Sequence, residues 1–392
     1  MQGIIRCHSG SGDVANKTRT RLARWTARVG ACGIIALTVA LGGAPAASAD
    51  SIRDEQWEHA FLQIAKAHQI TKGEGVTVAV VDTGVDGHHP DLIGTVMPEG
   101  YDASDMAFGN GWQDEEGHGT GIASIIAGHG HGPSRGDGVL GIAPGVKILT
   151  CKAGDSDDGN VDYAADAIEK AVERGANVIN VSLGYRAQGS EKLQQAVKSA
   201  IDNDVVVVAA VGNTSKLYSR VAAPANYSGV VAVSAIGRDG KISSDSVTGR
   251  EVVLAAPGVD IMVADLKKGY AVGTGTSASA AIVSGVAALI RAKYPDLNAA
   301  SVIQRLITTA DDKGTKGRDP EYGYGIVNPL KALTADVKPI KHNPLMPEPF
   351  TPKPTSPSDS GGDYLTIGLA SAAVLIMIVL SGWLAILAIR HR

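Results

Sequence analysis

Apolar residues along the chain fall into two alternating kinds of run. Residues 75–81 (Gly75-Val76-Thr77-Val78-Ala79-Val80-Val81), 176–182, 205–210 and 230–233 are short and almost continuously apolar. Runs of that length and β-branched content predict strands buried on both faces. Between them apolar positions recur at helical spacing. From Tyr163 to Arg174, the residues Ala164, Ala167, Ile168, Ala171 and Val172 form one stripe, and Glu191 to Ile201 repeats the pattern. Strands alternating with helices predict an α/β fold, doubly wound, with a mainly parallel sheet and helices on both faces. No internal repeat is visible.

The two ends read differently. Six basic residues, from Arg6 to Arg28, precede an apolar run from Ala31 to Leu41 and then Ala47-Ser48-Ala49. A basic region, a short apolar region and a small-x-small site predict a signal peptide over 1–49, with an uncleaved N-terminal anchor as the other reading. Residues 338–363 are rich in Pro, Ser and Gly and read as a linker. Residues 364–389 are 26 positions without a charge, ending at Arg390-His391-Arg392. At ~1.5 Å per residue such a helix exceeds the ~30 Å hydrocarbon core. The expected organisation is therefore a signal peptide (1–49), a catalytic-sized domain (50–337), a Pro-rich linker (338–363), a transmembrane helix (364–389) and a cytoplasmic tail (390–392). Basic residues after the span put the tail on the cytoplasmic side and the domain outside, at the cell membrane.

Composition adds three constraints. Aromatics are only 4% and glycines number 48, as suits a tightly turned core of Ala, Val and Ile. Residues 1–49 carry a net charge of +5, which leaves −9 for the rest. With no basic patch in the body, nucleic acid is not an expected partner. Cys7 and Cys32 fall in the leader, so Cys151 stands alone in the mature chain and reads as a buried structural thiol.

Three segments carry candidate chemistry. The strand at 76–81 ends in Asp82-Thr83-Gly84, which places a carboxylate where open α/β sheets build their active crevices. Glu116-Gly117-His118-Gly119-Thr120-Gly121 opens a helical stretch. Gly273-Thr274-Gly275-Thr276-Ser277-Ala278 opens another, with Ser277 near the positive end of the helix dipole. Singly, each has an ordinary reading: a turn-forming Asp, a Ser that caps a helix. The order Asp, His, Ser is one of the known orders of a nucleophilic triad. Asp155, Asp157 and Asp158 read as a solvated acidic loop rather than a calcium site. His129 and His131 read as surface residues without metal partners. No cofactor or metal is expected.

The blocks Val80-Val81-Asp82-Thr83-Gly84, His89-Pro90-Asp91-Leu92, Gly117-His118-Gly119-Thr120, Val178 to Gly184 and Gly275-Thr276-Ser277 resemble the signatures of the subtilases, in order, across residues 57–333. The resemblance implies a serine endopeptidase with Asp82, His118 and Ser277 as triad and Asn213 in the oxyanion hole. It further implies that Ser182-Leu183-Gly184 pairs with the substrate backbone. The sequence departs from the family at Ala278, where a bulky residue is usual, and at Ala281, where Pro is usual. The short lead before Asp82, one triad domain, a Pro-rich stalk and a C-terminal helix look most like the mycosins, peptidases of type VII secretion. That likeness implies peptide or protein substrates and a membrane secretion complex as partner. A general surface subtilase for peptide degradation, and a structural component with dispensable catalysis, remain alternatives.

Overall fold

Seven parallel strands carry the site. A computed structural model describes residues 51–104, 109–154, 160–185, 190–214 and 220–347. The sheet runs in the order β2 (Tyr101–Asp102), β5 (Lys147–Lys152), β1 (Thr77–Asp82), β6 (Val178–Val181), β7 (Val206–Ala210), β8 (Val231–Ile236) and β9 (Leu254–Pro257). Every neighbouring pair in it is parallel. The apolar runs of the sequence are these central strands, and β6, β7 and β8 are buried at every residue. Two antiparallel hairpins stand apart, β3 (His129–His131) with β4 (Asp137–Leu140) and β10 (Ile261–Asp265) with β11 (Gly269–Gly273).

Helices α5 (Val161–Glu173) and α6 (Glu191–Asp202) pack on each other and on the sheet. Their starts are capped by the side chains of Asn160 and Ser190, which accept from the N–H groups of Asp162 and Leu193. A second layer is built from α4 (His118–Ala127) and α7 (Thr276–Lys293). The helix α7 is nearly all small or aliphatic, and every residue from Thr276 to Arg291 except Ser277 is buried. Small side chains let it press close: a Cβ at Gly285 would lie 2.7 Å from the Ile142 side chain. The helix is unbroken through Ala281.

Short helices flank this frame. At the start, α1 (Ser51–Asp54), α2 (Trp57–Phe61) and α3 (Ile64–Ala67) are strapped to the β3–β4 hairpin and its surroundings. Gln56 exchanges two hydrogen bonds with the Leu140 backbone, and Arg53 donates to the carbonyls of Arg135 and Gly138. At the end, α8 (Ala299–Thr308) and α9 (Pro329–Thr334) lead into residues 338–347. These first residues of the Pro-rich stretch lie against the domain: Asn343 donates to the Gly229 carbonyl and Asn298 to the Ile340 carbonyl. Among the described residues no helix is long and apolar enough to cross a membrane. The expected leader over 1–49 and span over 364–389 lie outside the described residues.

Candidate active site

Adjacent strand ends bring the polar residues together. Strand β1 lies between β5 and β6, where the chain's strand order switches direction, and open sheets place their crevices there. Asp82 is its last residue. Val81 pairs with Val181 and Val181 with Ala209, so the stretches after β6 and β7 emerge at the same edge. Those stretches contain Ser182-Leu183-Gly184 and Asn213.

The helix α4 begins with His118, whose Nδ1 donates to Asp82 Oδ1 at 2.6 Å. This bond leaves Nε2 facing the cleft. Close approach is possible because the flanking residues are glycines. A Cβ at Gly119 would stand 1.9 Å from the Gly84 carbonyl oxygen, and Gly117 adopts φ +81°. Asp82 is fully buried; Oδ1 also accepts from the Thr83 N–H at 2.8 Å, and Oδ2 has no partner among the described residues. Burial opposes the charged imidazole of His118. The Asp82 charge and hydrogen bond, with Asp114 and Glu116 behind them, outweigh that effect and raise its pKa above 6.5.

Asp114 was invisible to the motif reading and holds the arrangement in place. Its Oδ1 accepts from Gly117 N–H and Thr83 Oγ1 (both 2.9 Å). Its Oδ2 accepts from the Thr120 N–H at 2.8 Å and from the Thr120 hydroxyl at 2.6 Å. Thr83 Oγ1 in turn accepts from Gly119 N–H at 3.0 Å. One carboxylate thus ties the first turn of α4 to the residue after Asp82. The signal in the sequence was only an acid three residues before Gly117, at a helix start.

Ser277 lies in the first turn of α7 and shares one cleft with His118 and Asn213. Its hydroxyl donates to the Ser182 carbonyl at 3.1 Å, and the Ser182 hydroxyl donates to the Ser277 carbonyl at 3.2 Å. Behind them runs a buried polar chain: Ser284 donates to Asn180 Oδ1 (3.0 Å), and Asn180 Nδ2 donates to Ser182 Oγ (2.9 Å). Asn213 Oδ1 accepts from the Thr276 N–H at 2.9 Å and its hydroxyl at 3.2 Å. Fixing Oδ1 in this way commits Nδ2 to the cleft. Gly275 keeps that amide clear, since a Cβ there would come within 3.0 Å of Nδ2.

All seven residues singled out in the sequence therefore lie on one edge of the sheet. Two recesses meet there. One is a slot of about 20 Å³ between Ser182, Gly184, Gly212 and Ala222; the other, of about 50 Å³, lies beside His118.

The sequence profile of the Subtilase family matches residues 73–325. The chain belongs to the subtilase family. Subtilases are serine endopeptidases. The chain is 34% identical over 284 residues to the minor extracellular protease Epr of Bacillus subtilis, covering 72% of this chain but only 42% of that protein. It is 33% identical over 341 residues to mycosin-1 of Mycobacterium tuberculosis, covering 73% of this chain and 74% of the relative. A solved structure of the serine protease MycP1 superposes with a TM-score of 0.64 at 33% identity, covering 71% of this subtilase and 88% of that chain.

Other candidates have structural environments of their own. Cys151 is buried on β5 opposite Val81, and burial pushes its thiol up to about 12, too high for a nucleophile at neutral pH. His129 is hydrogen-bonded to the carbonyls of Gly130 and Ile93, and His131 to Asp91. Among the described residues no group of three or more His, Cys, Asp or Glu side chains is arranged to hold a metal. The acidic loop with Asp155, Asp157 and Asp158 lies outside the described residues.

Proposed function

We propose that this subtilase cleaves peptide bonds with Ser277 as nucleophile, His118 as general base and Asp82 as the group that orients His118. The observation that carries the proposal is the 2.6 Å bond from His118 to a fully buried Asp82 carboxylate, with Ser277 in the same cleft. Ser277 Oγ attacks the peptide carbonyl while His118 Nε2 takes its proton. His118 then returns that proton to the leaving amine, and water repeats the cycle on the acyl-enzyme. Asp82 fixes the tautomer and stabilises the imidazolium. Asn213 Nδ2 and the Ser277 N–H, at the positive end of α7, stabilise the oxyanion.

Substrate pairs along Ser182-Leu183-Gly184 as an added strand. A substrate N–H donated to the Ser182 carbonyl replaces the bond that Ser277 makes there at rest. Rotation about one side-chain torsion then carries the freed hydroxyl to His118.

The same proposal extends to setting. Residues 1–49 direct export, and residues 364–389 anchor the chain with its tail inside and its catalytic domain outside the cell membrane. MycP1 is described as an essential component of the type VII (ESX-1) secretion system. Likeness to it and to mycosin-1 supports limited proteolysis of exported substrates beside such a complex. The test treats the membrane-extracted full chain and its Ser277→Ala variant with a fluorophosphonate probe. Labelling of the wild type alone supports the assignment, and a folded wild type that stays unlabelled overturns it. A strain carrying Ser277→Ala separates processing from scaffolding: normal secretion there counts for the structural role.

A further inference from the structure

The residues that lead into Ser277 are held from outside by a short turn, Gly258-Val259-Asp260, between β9 and β10. The Gly258 carbonyl accepts from the Gly275 N–H at 2.8 Å, and the Asp260 N–H donates to Thr274 Oγ1 at 3.0 Å. The turn is wedged tight: a Cβ at Gly258 would lie 2.3 Å from Ser279 Oγ and 2.9 Å from the Gly275 carbonyl oxygen. Asp260 takes φ +53°, a left-handed backbone that disfavours a residue with a Cβ, so its partners must impose it.

The partner on its carbonyl comes from far upstream. Trp57, the first residue of α2, donates its indole N–H to the carbonyls of both Val259 (3.0 Å) and Asp260 (3.2 Å). The indole is itself fixed: the Arg238 guanidinium lies 5.4 Å over its ring, and Phe61 meets it edge-on at 5.6 Å. Gln56, the residue before it, is tied to the Leu140 backbone by two hydrogen bonds. A path of hydrogen bonds therefore runs from Trp57 through the turn 258–260 to Thr274 and Gly275. It ends beside Ser277 and beside the Asn213 amide that Gly275 faces.

Resting on the serine-peptidase assignment above, we infer that Trp57 is a positioning residue for the reaction. Acting through the turn 258–260, its indole N–H sets where Gly275 and Ser277 stand, and with them the two donors to the oxyanion. The path bears on turnover rather than on substrate binding, because it ends at Gly275 and not at Ser182-Leu183-Gly184.

The membrane-extracted full chain is compared with Trp57→Phe, Thr274→Val and the double variant. The readouts are the rate and final stoichiometry of fluorophosphonate labelling, and kcat and KM on one peptide substrate. Trp57→Phe keeps an aromatic ring against Arg238 and Phe61 and deletes the donor. It is expected to label to the wild-type stoichiometry but about 10-fold more slowly, with kcat lowered to match and KM within about 2-fold. Thr274→Val removes the acceptor with little change of shape and is expected to cost about as much. Both break one path, so the double variant loses no more than either single one. Labelling of Trp57→Phe at the wild-type rate overturns the inference. So does a reduced stoichiometry at an unchanged rate, which shows that Trp57 only keeps the chain folded. Losses that multiply in the double variant to about 100-fold overturn it as well. A folded wild type that does not label overturns the serine-peptidase assignment instead, and this inference with it.

Discussion

Ser182 and Ser277 are bonded to each other twice, hydroxyl to carbonyl in both directions, at 3.1 and 3.2 Å. Ser277 is thereby registered against the stretch Ser182-Leu183-Gly184. Ser182→Ala removes one of these bonds and also the acceptor of the buried Asn180 Nδ2. An orphaned buried donor costs about 1–3 kcal/mol, which a urea titration reads as a lower midpoint. Turnover falls about 10-fold as Ser277 loses its register, measured on a peptide substrate under saturating conditions.

On the proposed mechanism, Asn213→Ala removes a side-chain donor to the oxyanion. Turnover is expected to fall about 10²–10³-fold, the range known for this loss in subtilisin, a member of the same family. The Michaelis constant stays nearly unchanged, because the bond forms only as charge develops. A matching rise in the Michaelis constant would point to a role in ground-state binding.

The raised pKa of His118 fixes the direction of the pH dependence. The imidazole must be neutral to accept a proton, so kcat/KM falls on acidification through a pKa above 6.5. Stability moves the other way. A pKa raised by folding contributes stability that is full below the unfolded value and is lost as pH rises through the folded value. Glu116→Gln removes one of the charges that support the imidazolium, and should move the acid limb of the rate profile to lower pH.

Gly119→Ala inserts a methyl group where the Gly84 oxygen is 1.9 Å away and the Asp82 Cβ 3.2 Å. The start of α4 must back off from β1, carrying His118 with it. Overpacking of this kind costs about 1–3 kcal/mol. The displaced base costs about 10²-fold in turnover, read from the rate of fluorophosphonate labelling.

Cys151 gives a negative control. With its thiol pushed up to about 12 and buried on β5, iodoacetamide at pH 8 should leave the Cys151 peptide unmodified in the native protein. Denaturation in urea should expose it to full alkylation by mass spectrometry. Modification in the native state would show that β5 opens on its own.

The sheet was readable because β1, β6, β7 and β8 are short, mostly apolar and β-branched runs, as burial on both faces requires. Helices α5 and α6 were readable from their stripes alone; their Asn160 and Ser190 caps emerged only with the structure. The elements β2, β9 and the β10–β11 hairpin left no such trace. They are short, and partners distant in sequence define them. The candidate triad was legible because its flanking glycines and small residues allow close approach and so mark the chain locally. Asp114, Asn180 and Ser284 were not. Each is an ordinary polar residue whose role arises from a partner brought near only by folding, such as Asn180 from Ser284 at 3.0 Å.

The helix α7 has one more consequence, for timing. Asp82 and His118 lie early in the chain, whereas Ser277 and its helix follow after β9. A chain synthesised only as far as β9 holds His118 and Asp82 but not Ser277. The buried α7 cannot dock until β6 to β9 are there to receive it, and contacts of such long range form late. Proteolytic competence therefore arrives with the last large piece of the core. On the proposed mechanism, the fold itself acts as a clock that keeps the growing enzyme from cutting its own unfolded chain.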